Sequence, residues 1–215
     1  MGRLACNKSK WNNEMADAAT REMTADEFLV WNLDQDERFE LVDGTPVPLR
    51  AMSGAKDEHD TIVVNLIVAL GQQLRDNGCR PKTADTALGT RIRRVRRPDV
   101  TVECAGVEPG SLEARNPVAV FEVLSPTTRQ LDRSEKLQEY QQHPRLQTIV
   151  HVDPSLMDVM VYSRSASGGW EAERLQRPDD LIRLAGTPVA LDLATAYDGV
   201  PLKVNTRMAS ASDLA

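Results

Sequence analysis

The stretch that decides the fold is Asn116–Gln130, which reads NPVAVFEVLSPTTRQ. The apolar run from Pro117 to Leu124 is typical of a β-strand that other elements cover on both faces. Glu122 interrupts that run. Because an unpaired carboxylate is costly to bury, a protein neutralises it, pairs it with a cation or places a metal ion beside it. The sequence therefore predicts a central strand and a partner for Glu122, for which an arginine in a simple ion pair is one candidate.

Two other carboxylates interrupt segments that otherwise read as strands, Glu40 in FELVDG and Asp99 in RRPDVTV. Taken singly, Glu40 could lie on the wet face of a hairpin, and Asp99 could cap a turn or face an arginine. Taken together with Glu122, they suit a hard divalent cation such as Mg²⁺, which binds one or two carboxylates plus waters and substrate phosphates. Such an ion makes a nucleophile of a bound water and stabilises negative charge on a phosphate.

The segments around the central strand predict the remaining architecture. The Thr24–Glu27 capping box predicts a short helix, and Asp43-Gly44 predicts a hairpin. Apolar residues at helical spacing predict a long helix with Gly78 as its stop, and a second helix is expected over Leu131–Gln142. The expected order along the chain is helix, strands, long helix, strands, helix, strands. The fold class is therefore α/β, with a mixed central β-sheet flanked by helices.

Length and composition limit the class of protein. The chain has 215 residues, enough for one domain of ordinary size, and we expect a loose leader over 1–22, one domain over 23–200 and a loose tail over 201–215. No apolar run approaches the roughly 20 residues of a membrane helix, and no secretory signal is recognisable, so no membrane partner is expected. The formal net charge of −6 argues against a surface coated with positive charge. Cys6, Cys79 and Cys104 are odd in number and widely spaced, which predicts reduced thiols in a cytoplasmic protein.

The order of the acidic motifs resembles that of a known family. Glu40, then Pro98-Asp99, then Glu122-Val123-Leu124-Ser125 is similar to the Uma2 family, within the PD-(D/E)XK nuclease superfamily with its restriction-endonuclease-like fold. The resemblance covers roughly Met23 to Tyr197. It includes the motifs MTADEFL, FELVDG, RRPDV, FEVLSPTTRQLD, EKLQEY and IVHVDP.

The resemblance implies a role for each acid. Asp99 and Glu122 would be the main ligands of Mg²⁺ or Mn²⁺, the carbonyl of Val123 would also reach the metal, and Glu40 would complete the site. One position departs from the superfamily pattern, because Leu124 stands where a lysine is usual. The expected substitute is Lys136 on the following helix, where it shares a face with Tyr140; alternatively, Lys136 is an ordinary solvated lysine.

Further residues are candidates for contacts with phosphate groups: His59, Ser125, Arg97, Arg129 and Arg133. His59 could instead cap its helix, and Ser125 could simply end the strand. The RIRRVRR run over 91–97 either grips a nucleic-acid backbone or forms the wet face of a hairpin, paired with surface acids.

These observations predict a metal-dependent endonuclease that hydrolyses phosphodiester bonds, with DNA as the expected partner. A homodimer is expected, since cutting both strands of a duplex usually takes two sites. The chief alternative is a non-catalytic nucleic-acid- or protein-binding module that retains the fold. A metal-dependent hydrolase of a small phosphoester is a third reading.

Overall fold

The structure is a computed structural model that describes residues 22–49, 57–104, 106, 108–124 and 131–203, with the backbone alone over 131–133. Predictions for Ser125, Arg129, the Arg133 side chain, nearly all of the leader and most of the tail therefore lie outside the described residues. Within the described part of the chain, none of the helices has the length and apolar character needed to cross a bilayer. The residues group into two compact units, the first from Met1–Met52 and Gly89–Arg96, the second from Ser53–Leu88 and Arg97–Ala215. The prediction of one domain over 23–200 stays a prediction.

The first unit is a four-stranded sheet with a short helix. The helix α1 (Ala25–Trp31) runs into a single 3-10 turn, and the strand order is β2-β1-β5-β4. The strands are β1 (Phe39–Val42), β2 (Thr45–Pro48), β4 (Leu88–Arg91), whose first residue belongs to the second unit, and β5 (Arg94–Arg96).

The helix capping box and the tight turn that the sequence predicts are both present in this unit. Thr24 Oγ1 accepts a hydrogen bond from the backbone N–H of Glu27, and a Glu27 carboxylate oxygen accepts one from the backbone N–H of Thr24, which is the reciprocal capping box. Asp43 and Gly44 both have positive φ, 48° and 82°, as the tight turn between β1 and β2 requires.

The second unit is built on a mixed six-stranded sheet of order β10-β9-β8-β7-β6-β3, beside the β11-β12 hairpin. The strands are β3 (Arg80–Thr83), β6 (Val100–Glu103), β7 (Pro117–Val123), β8 (Thr148–Val152), β9 (Val159–Arg164), β10 (Trp170–Leu175), β11 (Leu181–Arg183) and β12 (Ala190–Asp192). The helices are α2 (Asp57–Gln73), α3 (Leu131–Gln142) and α4 (Leu193–Ala196). Pairing of β7 with β8 is parallel, and the other pairings are antiparallel.

Alternate residues of β7 face different clusters of buried side chains. Ala119, Phe121 and Val123 belong to the main core with α2, whereas Val120 belongs to a second cluster with Tyr140 of α3. Because side chains alternate along a strand, Glu122 lies on the same face of β7 as Val120. The predicted central strand is thus confirmed, and its one carboxylate is directed to the face covered by α3.

The two long helices agree with the sequence to different degrees. The prediction for Leu131–Gln142 is confirmed at both ends. The α2 helix ends at Gln73, five residues before the predicted stop, and the chain reaches Gly78 through turns. Leu74 is the last buried apolar residue before the polar segment 75–77, so packing no longer holds the helical path there. Gly78 ends that segment with a φ of 67°.

The expectation of reduced thiols is wrong for two of the three cysteines, because Cys79 and Cys104 form a disulfide. Cys79 precedes β3 and Cys104 follows β6, and the register that pairs Arg80 with Glu103 brings them opposite each other. Their separation of 25 residues along the chain gave no motif that sequence inspection recognises. The prediction of a cytoplasmic location itself stays a prediction.

The disulfide predicts a thiol count and a stability change. Unfolded protein that has not been reduced should show one free thiol, Cys6, when titrated with a thiol reagent. Reduction should lower the free energy of unfolding by about 3 kcal/mol, because a closed loop of this length restricts the unfolded chain. The C79S/C104S variant should match the reduced protein in urea unfolding. Three free thiols in the oxidised preparation would contradict the bridge.

His143 follows α3 and is buried. Its Nδ1 accepts a hydrogen bond from the backbone N–H of Arg145 at 3.3 Å. Burial, together with the nearby charges of Arg145 and Arg164, lowers the pKa of His143 from 6.5 to about 4. Arg164 also donates to the carbonyls of Gln141 and His143, so it holds the C-terminal end of α3 in place.

His143 makes stability depend on pH. Between pH 6.5 and pH 4 the unfolded chain takes up a proton at His143 and the folded chain does not, so stability falls as pH falls through that window. Between pH 7 and pH 5 the contribution of His143 is a loss of about 2 kcal/mol. Urea unfolding of wild type and H143Q at both pH values measures it by difference. An identical pH dependence in the two proteins would contradict this assignment.

Candidate metal and catalytic site

The pairing of β6 with β7 brings Asp99 and Glu122 together. Val100 is paired with Phe121, and Asp99 comes immediately before β6, so continuing the antiparallel register places Asp99 opposite Glu122. Directly opposite residues of such a pair have Cβ atoms about 4.5–5.5 Å apart. Asp99 Oδ2 accepts a hydrogen bond of 2.7 Å from the backbone N–H of Val123. That bond ties the Asp99 carboxylate to the end of β7.

Glu122 finds its partners on α3. The hydroxyl of Tyr140 donates to Glu122 Oε1 at 2.6 Å, and Lys136 Nζ lies 3.7 Å from the same oxygen. The side chains of Glu122 and Lys136 are only 12% and 13% exposed. The cationic partner that the strand required is therefore a lysine, and no arginine contact with Glu122 is seen among the described residues.

The sequence spacing of α3 explains this arrangement. Lys136 and Tyr140 are four residues apart, so they lie one above the other on the same helical face. Tyr140 is buried among the apolar side chains that join α3 to β7 and β8, which fixes that face against the sheet. Lys136 is consequently not a solvated lysine. Its predicted place near the acidic pair agrees with the structure, while its catalytic role stays a prediction.

His59 approaches Asp99 from another element, the first turn of α2. Its Nε2 lies 3.4 Å from Asp99 Oδ1, and its Nδ1 lies 3.7 Å from an oxygen of Asp60. Close contact with the Asp99 carboxylate raises the pKa of His59 above 6.5, against the opposing effect of burial. His59 therefore faces the acidic site, with its Nε2 directed to the Asp99 carboxylate.

The donor set suits Mg²⁺ or Mn²⁺. Among the residues that the structure describes, no three histidine, cysteine, aspartate or glutamate side chains form a ready-made metal site. Asp99 and Glu122 instead supply two carboxylates, the number that magnesium sites commonly use when waters and substrate phosphates provide the other ligands. The chemistry of these oxygens thus fits a hard divalent ion. The carbonyl of Val123 stays a predicted further ligand.

Glu40 belongs to the first unit, where it has a partner of its own. Arg96 Nη1 donates to Glu40 Oε2 at 2.9 Å, and the two side chains are 4% and 8% exposed respectively. The Glu40 carboxylate is therefore compensated within its own sheet. Its predicted part in a metal site is not supported by a described contact and stays a prediction.

The arginine run forms a hairpin rather than one continuous charged strand. Arg93 pairs with Glu22, Arg94 binds both carboxylate oxygens of Asp43, and Arg96 binds Glu40. This agrees with the alternative in which the run is paired with acids. Arg97, the last residue of the run, lies in the second unit, where it is buried and donates to the backbone carbonyls of Ala84 and Asp85. Its predicted contact with phosphate stays a prediction.

Sequence reasoning missed one residue beside the site. His151 of β8 is paired in register with Glu122 and is 2% exposed. Its ring lies edge-on to that of Tyr162, with 5.5 Å between the centroids. The strand IVHV gave a signal similar to that of AVFEV, a polar residue within an apolar run, but the parallel pairing that makes them neighbours is not visible in the sequence.

A fold comparison supports the class of protein. A crystal structure from Anabaena variabilis ATCC 29413, described as "a putative nuclease belonging to DUF820", superposes with a TM-score of 0.63. The match covers 81% of this chain and 97% of that one at 19% identity, which shows a shared fold. The mixed central sheet with its flanking helices is therefore a restriction-endonuclease-like fold, as predicted.

The chain belongs to the Uma2 family, whose model, described as "Putative restriction endonuclease", matches residues 25–196. Two proteins of Synechocystis sp. are relatives. Uncharacterized protein slr1290 is 28% identical over 174 residues, covering 80% of this chain and 90% of its own length. Uncharacterized protein sll1609 is 26% identical over 160 residues, covering 73% and 89%. The predicted family is confirmed, and the family's description is that of a nuclease.

The buried Glu40–Arg96 pair predicts a specific loss of stability. E40Q keeps the shape of the side chain but removes the negative charge that faces the buried Arg96 guanidinium, so the free energy of unfolding should fall by about 3 kcal/mol. The matched control D43N removes the exposed partner of Arg94 and should cost at most about 1 kcal/mol. Urea unfolding measures both. Equal, small losses would contradict a structural role for the buried pair.

Proposed function

We propose that the protein is a divalent-metal-dependent endonuclease that hydrolyses phosphodiester bonds in DNA. The observation that carries the proposal is the meeting of Asp99 and Glu122 at neighbouring strand positions, with Lys136 Nζ 3.7 Å from Glu122. Two carboxylates and a lysine beside them supply what phosphodiester hydrolysis needs from a protein: a metal platform and a positive charge near the reacting phosphate. The nuclease description of the family points in the same direction.

Each residue has a separate part in this mechanism. Asp99 and Glu122 hold Mg²⁺ or Mn²⁺, with the Val123 carbonyl and Glu40 as further candidate ligands. When bound, the ion supplies charge neutralisation at the phosphate and a water of lowered pKa. The Val123 N–H fixes the orientation of the Asp99 carboxylate. Lys136 orients the attacking water and stabilises the negative charge that develops on the phosphate oxygens. His59 lies beside Asp99 and offers a contact for an incoming phosphate.

The partner in this proposal is duplex DNA, and the working assembly is a homodimer, because one site of this kind cuts one strand. The formal net charge of −6 makes binding depend on a local cationic surface and not on the overall charge. DNA contacts by Arg97, Arg129, Arg133 and Ser125 remain predictions.

Loss of the first acid should abolish cleavage. D99N retains an oxygen that accepts the Val123 N–H but loses the negative charge, so nicking of supercoiled plasmid with Mn²⁺ should fall at least about 100-fold. Mn²⁺ affinity measured by calorimetry should fall with it. D76N, which changes an exposed aspartate of the same unit, is the matched control and should retain wild-type activity. A D99N protein as active as wild type would contradict the assignment of Asp99 as a metal ligand.

The lysine should act on turnover more than on the metal. K136M keeps the aliphatic stem and removes the charge, so kcat should fall about 100-fold or more while Mn²⁺ binding persists. K203M, at an exposed lysine, is the control. Full activity of K136M would assign Lys136 to charge balance alone.

The second candidate is a binding module that keeps the fold without catalysis. It is favoured by Leu124, an apolar residue at the position where the superfamily motif has lysine. Wild-type protein that binds DNA but neither takes up millimolar Mn²⁺ nor cuts would support this candidate. A small-phosphoester hydrolase would instead be revealed by turnover of such an ester that DNA fails to inhibit.

A further inference from the structure

Tyr140 is a polar side chain that contacts the site from within the core of the second unit. It is fully buried, in a cluster with Leu88, Ala114, Val120, Leu146 and Ile149. A hydroxyl in such surroundings needs a hydrogen-bond partner, because burying it without one costs free energy. Its partner is Oε1 of Glu122, at 2.6 Å. The bond lies at the short end of the range for O–H···O hydrogen bonds.

The buried surroundings of the Tyr140 ring restrict the position of its hydroxyl. Packing within the cluster leaves the ring of Tyr140 little freedom, and a tyrosine hydroxyl lies at the end of a rigid ring. The hydroxyl therefore determines where Glu122 Oε1 can lie. Lys136 is different in kind, since its Nζ is on a flexible four-carbon stem and lies 3.7 Å from the same oxygen, beyond the range of a good hydrogen bond.

Lys136 and Tyr140 of α3 thus have different effects on the Glu122 carboxylate. Lys136 balances its charge, and Tyr140 sets its orientation. Orientation matters for a ligand on a strand, because the free carboxylate has several rotamers of similar energy and only some of them face Asp99. Groups that hold a metal ligand in place commonly change metal affinity or activity by about 10–100-fold when removed.

We propose that Tyr140 is a positioning residue that holds Glu122 ready for the divalent ion, in addition to its part in the core. The inference rests on the proposed function, since it assigns Tyr140 a part in that same site. A purely structural Tyr140 would contribute to stability and leave metal binding unchanged. A positioning Tyr140 acts on metal affinity and kcat through Glu122.

The variant Y140F separates these roles because it keeps the ring in the core and removes only the hydroxyl. Relative to wild type, we expect Mn²⁺ affinity by calorimetry to fall about 10–100-fold and kcat for plasmid nicking to fall similarly. KM for DNA should not change. The control is Y162F, which alters a tyrosine packed against the same cluster whose described contacts do not include Glu122, and it should behave as wild type.

A double-mutant comparison tests whether the effect passes through Glu122. E122A/Y140F should bind Mn²⁺ no more weakly than E122A alone, because Tyr140 has nothing to position once the Glu122 side chain is truncated. Fully additive losses would overturn the proposal, as would a Y140F protein that matches an active wild type in both Mn²⁺ affinity and kcat. Wild-type protein that neither binds Mn²⁺ nor cuts would instead contradict the proposed function, and this inference with it.

If Y140F does not fold, the proposal can be tested by NMR on the wild-type protein. The chain has three tyrosines, so ¹³C labelling at Cζ gives three signals. Mg²⁺ should shift the signal of Tyr140, because binding at Glu122 draws electron density from the oxygen that accepts its hydrogen bond. The signals of the other two tyrosines should stay in place. A Tyr140 signal unmoved by saturating Mg²⁺ would overturn the proposal.

Discussion

The carboxylate of Glu122 on the central strand is the constraint on which the second unit depends. Placing a charge there requires compensation, and α3 provides it through Lys136 and Tyr140 on one face. That requirement fixes the rotation of α3 against the sheet, and Arg164 fixes the C-terminal end of the helix. On the neighbouring strand, Asp99 is secured by the backbone of Val123 and by the ring of His59. The contacts that compensate the buried charges are therefore the same contacts that set the geometry of the site.

The contacts of Glu122 with Lys136 and Tyr140 stabilise the second unit and, in the proposed function, also position a metal ligand. A carboxylate that accepts one hydrogen bond from a hydroxyl and faces a lysine retains further lone pairs for a metal ion. Glu40 in the first unit instead accepts a hydrogen bond from a buried arginine, Arg96. The two acids thus differ in their described partners, which are an arginine for Glu40 and a lysine with a tyrosine hydroxyl for Glu122.

Features that depend on local sequence were predictable. The capping box at Thr24, the Asp43-Gly44 turn and the helix over Leu131–Gln142 each follow from neighbouring residues, and all three are present. The i, i+4 relation of Lys136 and Tyr140 also follows from the sequence. Strand pairing does not, because it joins distant segments. The disulfide between Cys79 and Cys104, the contact of His59 with Asp99 and the place of His151 beside Glu122 all depend on that pairing.

Binding of one divalent ion between Asp99 and Glu122 can be tested by the anomalous scattering of a crystal soaked in Mn²⁺. We expect a single strong peak within about 2.5 Å of a carboxylate oxygen of each residue. No peak at these two side chains, with the ion absent or held elsewhere on the chain, would contradict it.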